Sequence, residues 1–600
     1  MKTHLLDLLR TALDALLAEA GAQAAPAIQL DATKDAKFGD FQTNLALQLA
    51  KPLGLPPRAV AEKLVKALPA SAQVSKVEIA GPGFINFFLN QSAFQAVVAT
   101  VLAQQDKYGR DDSGQAGRIM VEFVSANPTG PMHVGHGRGA AYGDSICKLL
   151  TATGWTVWRE YYINDAGRQV DILAISVWLR YLELCGETMP FPKRGYPADY
   201  IRRTAQQVKD AHGETLRRSA AEVMAGLPAE PVVPEGASDK QKDEIKLQQE
   251  GYADQLITRA RSLLGDGYAQ LQRIALDDQL GTIRNTLASF NVRFDQWSSE
   301  AELVKSGFVE KAIKRLRDQG LVYDKDGAVW MKTEAYGDEK DRVLIKADGA
   351  ATYFCNDLAY HVDKLDRGWY PLMDVWGADH HGYIARVRAA IEALTGKKDA
   401  LNVQLIQFVT LSSGRMGKRS GNFVTLQDLI DEAGTDATRF FYLMRGHEQH
   451  LEFDIDLARS QTTDNPVYYV QYAHARICRV FDQLAEKGGK FDQAAGLAAL
   501  SRLDNEHEKA LLTLLNRYPE MLRRAAADYT PHSVVFYLKE LAEGLHSYYN
   551  LHRFLVEDDL ELQNARLALI SAVGQVLRNA LAILGVSAPD KMYREEPETN

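Results

Sequence analysis

The residues best suited to phosphate chemistry are two histidines, His133 and His136, separated by a valine and a glycine. They follow an apolar run, Ile119–Val124, that predicts a buried strand and ends in a turn rich in glycine and proline. The small residues of 133–150 predict a helix. Its first turn places both imidazoles on one face, beside free backbone N–H groups and the positive end of the helix dipole. Gly135 lets a nucleotide approach the backbone closely.

A second element strengthens the interpretation that the two histidines belong to a nucleotide site. Residues 414–422, Gly-Arg-Met-Gly-Lys-Arg-Ser-Gly-Asn, form a basic stretch bracketed by glycines, after a buried-strand pattern at Val403–Leu411. Such a loop is suited to closing over a triphosphate. The alternative for the histidines is a zinc site or an ordinary surface position, but no third ligand follows at metal-like spacing.

Composition limits the class of protein. A chain of 600 residues implies about three to five domains, and 46% hydrophobic with 24% charged residues is typical of globular proteins. Four widely spaced cysteines argue against a structural zinc or a disulfide scaffold and favour a reducing cytosol. No uninterrupted apolar stretch reaches the length of a membrane span, and the N-terminus is not a signal peptide. The net charge of −9 argues against a protein that coats nucleic acid, but not against one that binds a folded RNA through local patches.

The order of patterns predicts a multidomain α/β protein. Residues 1–110 are typical of an α+β module, with residues 106–117 as a plausible linker. Residues 111–435 alternate strands and helices, which predicts a Rossmann-like parallel sheet with an insertion, expected to be well solvated, at about 185–290. Residues 436–600 are nearly all helical in pattern. In such sheets, ligands bind at the carboxyl ends of the strands.

Charged residues near those strand ends indicate a cationic substrate. Glu122 interrupts an apolar strand, which is costly unless the carboxylate meets a cation. Tyr353 and Asp357 lie four residues apart and can share a helix face. Two carboxylates and a phenol suit a guanidinium, which presents five donors in a rigid fork. The alternative is that Glu122 makes an internal salt bridge, for example with Arg159 or Arg168.

The two phosphate elements resemble the HIGH and KMSKS signatures of class I aminoacyl-tRNA synthetases. His133–His136 fits the first with one conservative change. Arg415–Arg419 fits the second in part, since Gly417 and Arg419 stand where that motif has serines. Lys418 matches the second lysine of the motif, which in this class stabilises the pyrophosphate leaving group.

Longer stretches are similar to bacterial-type arginyl-tRNA synthetases, namely Glu122–Pro128, Glu160–Gly167 and Tyr353–His361. The resemblance covers the chain from its N-terminal module to Met592. It implies a class I Rossmann-like catalytic domain, an N-terminal module that touches the tRNA elbow, and a C-terminal all-α anticodon-binding bundle. The implied reaction is ATP-dependent ligation of L-arginine to tRNA(Arg), with Mg²⁺ accompanying ATP and activation only when tRNA is bound. The family expectation is a cytoplasmic monomer with no DNA or membrane partner and no metal held by the protein.

The resemblance also assigns roles to individual residues. The arginine pocket is expected to contain Glu122, Ser125, Asn127, Tyr353, Asp357 and His380. The ATP site is expected to contain Pro131, His133, Gly135, His136, Gly377, Asp379, Met416 and Lys418, of which His133, His136 and Lys418 are the catalytic residues. The tRNA contacts are expected at Asn86, Gln91, Tyr549 and Met592.

Two other functions remain open from sequence. A small-molecule adenylyltransferase shares the nucleotide fold but needs neither the N-terminal module nor the helical tail. An inactive relative that only binds tRNA or a partner would be expected to lose its catalytic residues first, and these are present. A site that hydrogen-bonds a polar side chain rejects analogues lacking it by about 10⁴–10⁵, so the insertion need not be an editing domain. A cysteinyl specificity would need a metal-binding thiol pocket that the sequence lacks.

Overall fold

The first part of the chain is a small α+β unit. The computed structural model describes residues 1–20, 26–33, 35–412 and 424–592. The first elements are α1 (Lys2–Ala20), β1 (Asp31–Ala32), β2 (Phe41–Thr43), α2 (Leu45–Leu53), α3 (Pro57–Ala67), β3 (Val74–Ala80), β4 (Phe84–Leu89) and α4 (Gln91–Gln104). The strands pair antiparallel in the order β1-β2-β4-β3. Leucines at helical spacing on α1 are buried in the core of this unit.

A parallel sheet forms the centre of the next part. Its strands are β5 (Gly117–Glu122), β6 (Trp155–Ile163), β7 (Gln296–Ser299), β11 (Leu372–Gly377) and β12 (Leu401–Ile406). They pair in the order β12-β11-β5-β6-β7, all parallel, so that β5 lies in the middle. The remaining elements here are α5 (Val134–Ala152), α11 (Glu300–Lys305), α12 (Phe308–Asp318), β8 (Val322–Lys325), β9 (Ala328–Met331), β10 (Arg342–Ile345), α13 (Tyr353–Asp366), α14 (Ile384–Thr395) and β13 (Val409–Leu411).

The segment between β6 and β7 has a hydrophobic core of its own. It consists of α6 (Arg168–Leu184), α7 (Asp199–His212), α8 (Ala220–Met224), α9 (Asp239–Leu264) and α10 (Asp266–Ser289). Trp178, Ile201, Leu256 and Leu271 are buried together there. The expectation of a well-solvated insertion is therefore wrong for much of this segment. The charged beginning of α9 is exposed, but apolar residues at helical spacing further along it bury the opposite face.

The last part is mostly helical. It contains α15 (Leu426–Ala433), α16 (Thr435–Leu443), β14 (Leu451–Phe453), α17 (Ile455–Arg459), α18 (Pro466–Glu486), α19 (Gln493–Ala498), α20 (Glu506–Ala527), α21 (His532–Leu551) and α22 (Leu560–Leu584). By length and composition, α22 alone among the described helices could cross a membrane. Arg566, Gln575 and Arg578 interrupt this helix, so it is not an uninterrupted apolar stretch. Within the protein, 72% of its apolar window is buried, as in a core helix.

Helix α5 is fixed from several sides. It lies close to β5 because position 143 is glycine, where a Cβ would come within 2.3 Å of the Phe123 ring. The guanidinium of Arg138, almost fully buried, donates to the Gly446 carbonyl at 2.8 Å. The Tyr142 hydroxyl donates to the carbonyl of Tyr529 at 3.0 Å. The helix that begins at the histidine pair is thus anchored to the helical part of the protein.

Candidate functional site

The two histidines cap helix α5. His133 is the N-cap residue, and its Nδ1 accepts from the backbone N–H of Gly135 at 3.1 Å. His136 Nδ1 accepts from the backbone N–H of His133 at 3.3 Å. The rings stack with centroids 3.6 Å apart. Because each Nδ1 accepts, the proton of each neutral imidazole lies on Nε2, which leaves two N–H donors at a helix N-terminus.

Both imidazoles are neutral in the free protein. Burial lowers the pKa of His133. Burial and the neighbouring His133 lower the pKa of His136 to about 3. The pair therefore offers hydrogen bonds to phosphate oxygens without carrying fixed positive charge at pH 7.

A histidine titration tests this protonation state. In the NMR spectrum of histidine-labelled protein, which has 14 histidines, we expect the His136 signal to stay constant between pH 5.5 and 8 and the His133 signal to titrate with a midpoint below the ordinary value of about 6.5. Spectra of His133→Gln and His136→Gln assign the two signals. A midpoint near the ordinary value of about 6.5 for either ring would contradict the tautomer deduced from the cap.

A cavity of about 850 Å³ lies in front of the histidine pair. Its wall contains the predicted ATP residues Gly135, Gly377 and Asp379, together with both imidazoles. The predicted ATP residue Pro131, half-buried in the turn before α5, does not line it. The volume and the donors at its edge suit a nucleotide.

The Gly-bracketed basic loop, with Met416 and Lys418, lies outside the described residues. The chain on either side of it reaches the nucleotide cavity, since Leu411 and Val424 both line the wall. Just after the loop, the backbone N–H of Leu426 donates to the Met132 carbonyl at 2.8 Å. Both flanks of the loop are therefore held next to the histidine pair.

A second cavity, of about 680 Å³, adjoins the first. Four residues line both cavities: Tyr162, Asn164, Trp376 and His380, the last of which was expected in the arginine pocket. A molecule in one cavity can therefore meet a molecule in the other at this boundary.

Two predicted carboxylates of the second cavity differ in their surroundings. Glu122 has a partner on each oxygen, since Oε1 accepts from the Ser125 hydroxyl at 2.8 Å and Oε2 from Lys364 Nζ at 2.5 Å. The internal salt bridge considered from sequence does form, but with Lys364 and not with Arg159 or Arg168. Asp357 has a buried Oδ2 with no hydrogen-bond partner. Such an atom is costly unless a ligand satisfies it.

The other residues expected to bind the substrate arginine lie around this pair of carboxylates. Asn127 lines the nucleotide cavity, and the Ser125 hydroxyl accepts from the Tyr162 N–H at 3.1 Å. Val124 and Ser125 have positive φ angles of 69° and 39°, a strained turn that aims this segment into the cleft. Tyr353 is at the mouth of the second cavity and is 93% exposed, so its ring has open space.

Comparison with known proteins gives the family. Models of the arginyl tRNA synthetase N terminal domain, the class I (R) catalytic domain and the DALR anticodon binding domain match residues 4–89, 97–190 with 239–452, and 470–592. An arginine–tRNA ligase of Thioalkalivibrio sulfidiphilus is 51% identical over 599 residues, which cover 99% of this chain and 100% of that protein. One of Hydrogenovibrio crunogenus is 49% identical, with 99% and 100% covered. The chain belongs to the arginyl-tRNA synthetase family.

Solved structures of arginyl-tRNA synthetases share its architecture. A putative arginyl-tRNA synthetase from Campylobacter jejuni has a TM-score of 0.69 at 31% identity, covering 84% of this chain and 100% of that one. The Thermus thermophilus enzyme has a TM-score of 0.68 at 23% identity over 98% and 99%, a likeness of fold. The predicted class I architecture, with its N-terminal module and helical C-terminal domain, is confirmed.

The residues expected to touch tRNA have mixed surroundings. Asn86 is only 3% exposed, between neighbouring strands, and cannot reach an RNA in this structure. The expected tRNA contact at Asn86 therefore stays a prediction, and this burial does not favour it. The Gln91 amide donates to the Leu503 carbonyl at 2.8 Å and so joins the N-terminal module to the helical domain.

The two residues of the helical domain that were expected to touch tRNA are more accessible. Tyr549 is half-buried, with the Arg476 guanidinium 4.7 Å from its ring centroid. Met592 lines a surface cavity beside Asp436.

Sequence reasoning missed another carboxylate in the second cavity. Glu300 begins α11 and lines the cavity wall. Burial and the nearby Asp165 raise the pKa of its carboxyl. Its position directly after β7, at the carboxyl end of a strand, is the signal that could have found it. It is the third carboxyl group on the wall of this cavity, beside Glu122 and Asp357.

One group among the described residues has metal-ligand spacing, His474, Cys478 and Asp590. It lies in the helical domain, away from both cavities. His474 Nδ1 faces the Pro589 carbonyl at 3.0 Å, and Nε2 faces Arg578 Nη1 at 2.9 Å. The proton therefore lies on Nδ1, the atom that a metal would need, and the group joins the chain end to α18.

Proposed function

We propose that this chain ligates L-arginine to tRNA(Arg) through an arginyl-adenylate intermediate and releases AMP and pyrophosphate. The observation that carries the proposal is the pair of adjoining cavities. One has two free imidazole N–H donors at a helix N-terminus, and the other has the unpartnered carboxylate oxygen of Asp357. A nucleotide and a cationic amino acid placed there would meet at the shared wall.

The chemistry has two displacement steps. A carboxylate oxygen of arginine attacks the α-phosphorus of ATP, and the bond from that phosphorus to pyrophosphate breaks. A ribose hydroxyl of the terminal tRNA adenosine then attacks the adenylate carbonyl, and AMP leaves. Neither step needs a covalent enzyme nucleophile, so positioning and stabilisation of developing charge carry the catalysis. Mg²⁺ accompanies the phosphates of ATP as part of the substrate.

Individual residues would then act as follows. His133 and His136 donate from Nε2 to the phosphates, and Gly135 and Gly377 leave room for the adenosine. Asp357 accepts from the guanidinium. Tyr353, Ser125 and Asn127 complete the amino-acid side of the cleft, with His380 between the two ligands. The enzyme would act as a monomer in the cytosol.

The decisive experiment is ATP–pyrophosphate exchange with each of the twenty amino acids, with and without total tRNA. We expect exchange with arginine only, appearing when tRNA is added. Exchange with a different amino acid would mean that Asp357 does not bind a guanidinium. No exchange at all, with tRNA still bound, would favour an inactive relative that only binds tRNA or a partner.

Lys418→Ala tests the basic loop. We expect turnover to fall by the equivalent of about 3–4 kcal/mol of activation free energy, because a donor to the departing pyrophosphate is lost. The Kd of arginine should change little. Arg415→Ala serves as the comparison, and single-turnover adenylate formation is the measurement. Unchanged turnover in Lys418→Ala would remove this lysine from the mechanism.

A further inference from the structure

The backbone between β5 and α5 contains Asn127 and leads directly into the histidine pair. We call residues 126–132 the β5–α5 turn. Three carbonyl oxygens of this turn, spaced three residues apart, accept hydrogen bonds from three different parts of the chain. The pairs are Ala126 with the Tyr161 hydroxyl at 2.8 Å, Thr129 with the Tyr200 hydroxyl at 2.8 Å, and Met132 with the Leu426 N–H at 2.8 Å. The turn is therefore held at three points.

The middle point is supplied by the insertion between β6 and β7. Tyr200 lies in the first turn of α7 and donates its hydroxyl proton to the Thr129 carbonyl. Burial, followed by the neighbouring Tyr196, raises the pKa of Tyr200, so the phenol remains a protonated donor at pH 7. Thr129 lies two residues after Asn127 and four before His133. The hydrogen bond therefore fixes the backbone between these two residues.

The Tyr200 ring approaches the turn so closely that it leaves no space for a side chain at position 130. A Cβ on Gly130 would lie 2.7 Å from the Tyr200 hydroxyl oxygen and 2.9 Å from the ring carbon that carries it. The φ angle of Gly130 is outside the left-handed region, so the backbone conformation does not itself require glycine. The approach of Tyr200 is what requires it.

Helix α7 is fixed within the insertion. Three of its apolar residues are fully buried in the core there, Ile201, Ala205 and Val208. Asp278 of α10 accepts from the Thr204 hydroxyl at 2.6 Å and from the Gln207 amide at 2.7 Å. Because α7 is held against α10 in this way, the Tyr200 hydroxyl is a fixed point for the turn.

The insertion contacts the wall of the second cavity as well. Residues 166–169 line that cavity. Arg168 Nε donates to Asp254 Oδ1 at 2.6 Å, and Nη2 donates to the Glu250 carbonyl at 2.9 Å. Both acceptors belong to α9. Helices of the insertion thus support both adjoining cavities, α7 through the β5–α5 turn and α9 through Arg168.

We propose that Tyr200 is a positioning residue for adenylate formation, through which the insertion holds the β5–α5 turn. The inference rests on the proposed function. The arginine carboxylate and the α-phosphorus of ATP react only when their separation and alignment are correct. Asn127 belongs to the amino-acid side of the cleft and His133 to the phosphate side, so the backbone between them sets that separation. Tyr200 lines neither cavity and acts through the Thr129 carbonyl.

Tyr200→Phe removes the hydrogen bond and keeps the ring. We expect kcat for arginine-dependent pyrophosphate exchange with tRNA bound to fall about tenfold or more, because the reacting groups lose their alignment. The KM values for ATP and arginine should stay within about two-fold, since each half of the site remains intact. Tyr181→Phe is the matched control, because Tyr181 donates to the Gly213 carbonyl, also at 2.8 Å, inside the insertion. It should lower the melting temperature to a similar extent and leave kcat unchanged.

A spectroscopic measurement tests the same contact without turnover. The β5–α5 turn ends at the cap of α5, where the two imidazoles stack and bind the backbone. In the NMR spectrum of histidine-labelled protein, we therefore expect the His133 and His136 signals to shift in Tyr200→Phe and to keep their positions in Tyr181→Phe.

A double-substitution cycle tests whether Gly130 and Tyr200 act together. Gly130→Ala alone should lower kcat, because the new Cβ pushes the turn away from the phenol. In Tyr200→Ala the space is open, so adding Gly130→Ala should lower kcat little further. Losses that simply multiply would contradict the contact. Gly130→Ala also tests the contact from the other side if Tyr200→Phe does not fold.

The outcomes separate this inference from the proposed function. A wild-type protein without arginine-dependent exchange would overturn the proposed function and this inference with it. An active wild type with unchanged kcat in Tyr200→Phe, whether or not the histidine signals move, would overturn only the role of Tyr200. An equal loss of kcat in Tyr181→Phe would also overturn it, because that loss would reflect general loosening of the insertion.

Discussion

Replacing Asp357 with asparagine should lower kcat/KM for arginine by about 150- to 5,000-fold, equivalent to about 3–5 kcal/mol, because the bound guanidinium would lose its charged partner. The effect should appear mainly in the KM for arginine, with the KM for ATP nearly unchanged. Arginine-dependent pyrophosphate exchange with tRNA present is the measurement. Asp366→Asn, at the exposed end of the same helix, is the control.

The same substitution should leave the free protein equally or more stable. Burial, followed by the charge of Asp374, raises the pKa of Asp357 despite the opposing effects of His361, Lys364 and the nearby Tyr383 hydroxyl. A carboxyl whose pKa is raised by folding is destabilising when ionised, so its removal relieves a cost at pH 7. A higher melting temperature combined with lost arginine binding would identify Asp357 as a ligand-binding residue. A lower melting temperature would instead indicate a structural role.

The local part of the site was predictable from sequence. A short apolar run, a glycine- and proline-rich turn and a series of small residues specify a strand, a turn and a helix between residues 117 and 152. The strand predicted at Ile119–Val124 is observed at Gly117–Glu122, and the helix predicted at 133–150 is observed at Val134–Ala152. His133 fell at the cap, where its side chain binds the backbone.

The long-range part was not predictable. Lys364 lies 242 residues from Glu122, and only the sheet order brings α13 over β5. Arg159, considered as a partner, instead pairs with Asp144 at 2.8 Å. A charged residue on an apolar strand shows that a partner exists, but not which one. Likewise, the resemblance suggested a tRNA contact at Asn86, and nothing in the local sequence shows that this side chain is buried.

A buried arginine joins the helical domain to the helix of the histidine pair. The Arg439 side chain is fully buried. It donates to the Leu584 carbonyl at 2.7 Å, to the Phe290 carbonyl at 2.8 Å and to Asp144 at 2.5 Å. Leu584 is the last residue of α22, whose final carbonyls lack helical partners. Gly585 is required there, because a Cβ would lie 2.4 Å from the guanidinium.

Arg439→Met should therefore destabilise the protein by about 3–5 kcal/mol, because it leaves a buried carboxylate and two carbonyls without this donor. Urea unfolding followed by circular dichroism measures the change. Arg517→Met, which breaks an exposed pair with Glu540, should cost less than about 1 kcal/mol. Arg439→Lys keeps the charge but not the planar fork, so it should recover only part of the loss.

The activity of Arg439→Met, measured at a temperature where it remains folded, shows what the connection does. Asp144 is two helical turns beyond His136 on α5, so losing the arginine should disturb the position of the imidazoles as well as stability. We expect kcat to fall while the KM values for ATP and arginine change little. A stability loss with unchanged kcat would mean that Arg138 and Tyr142 hold α5 in place without Arg439, and that this arginine joins the domains without positioning the site.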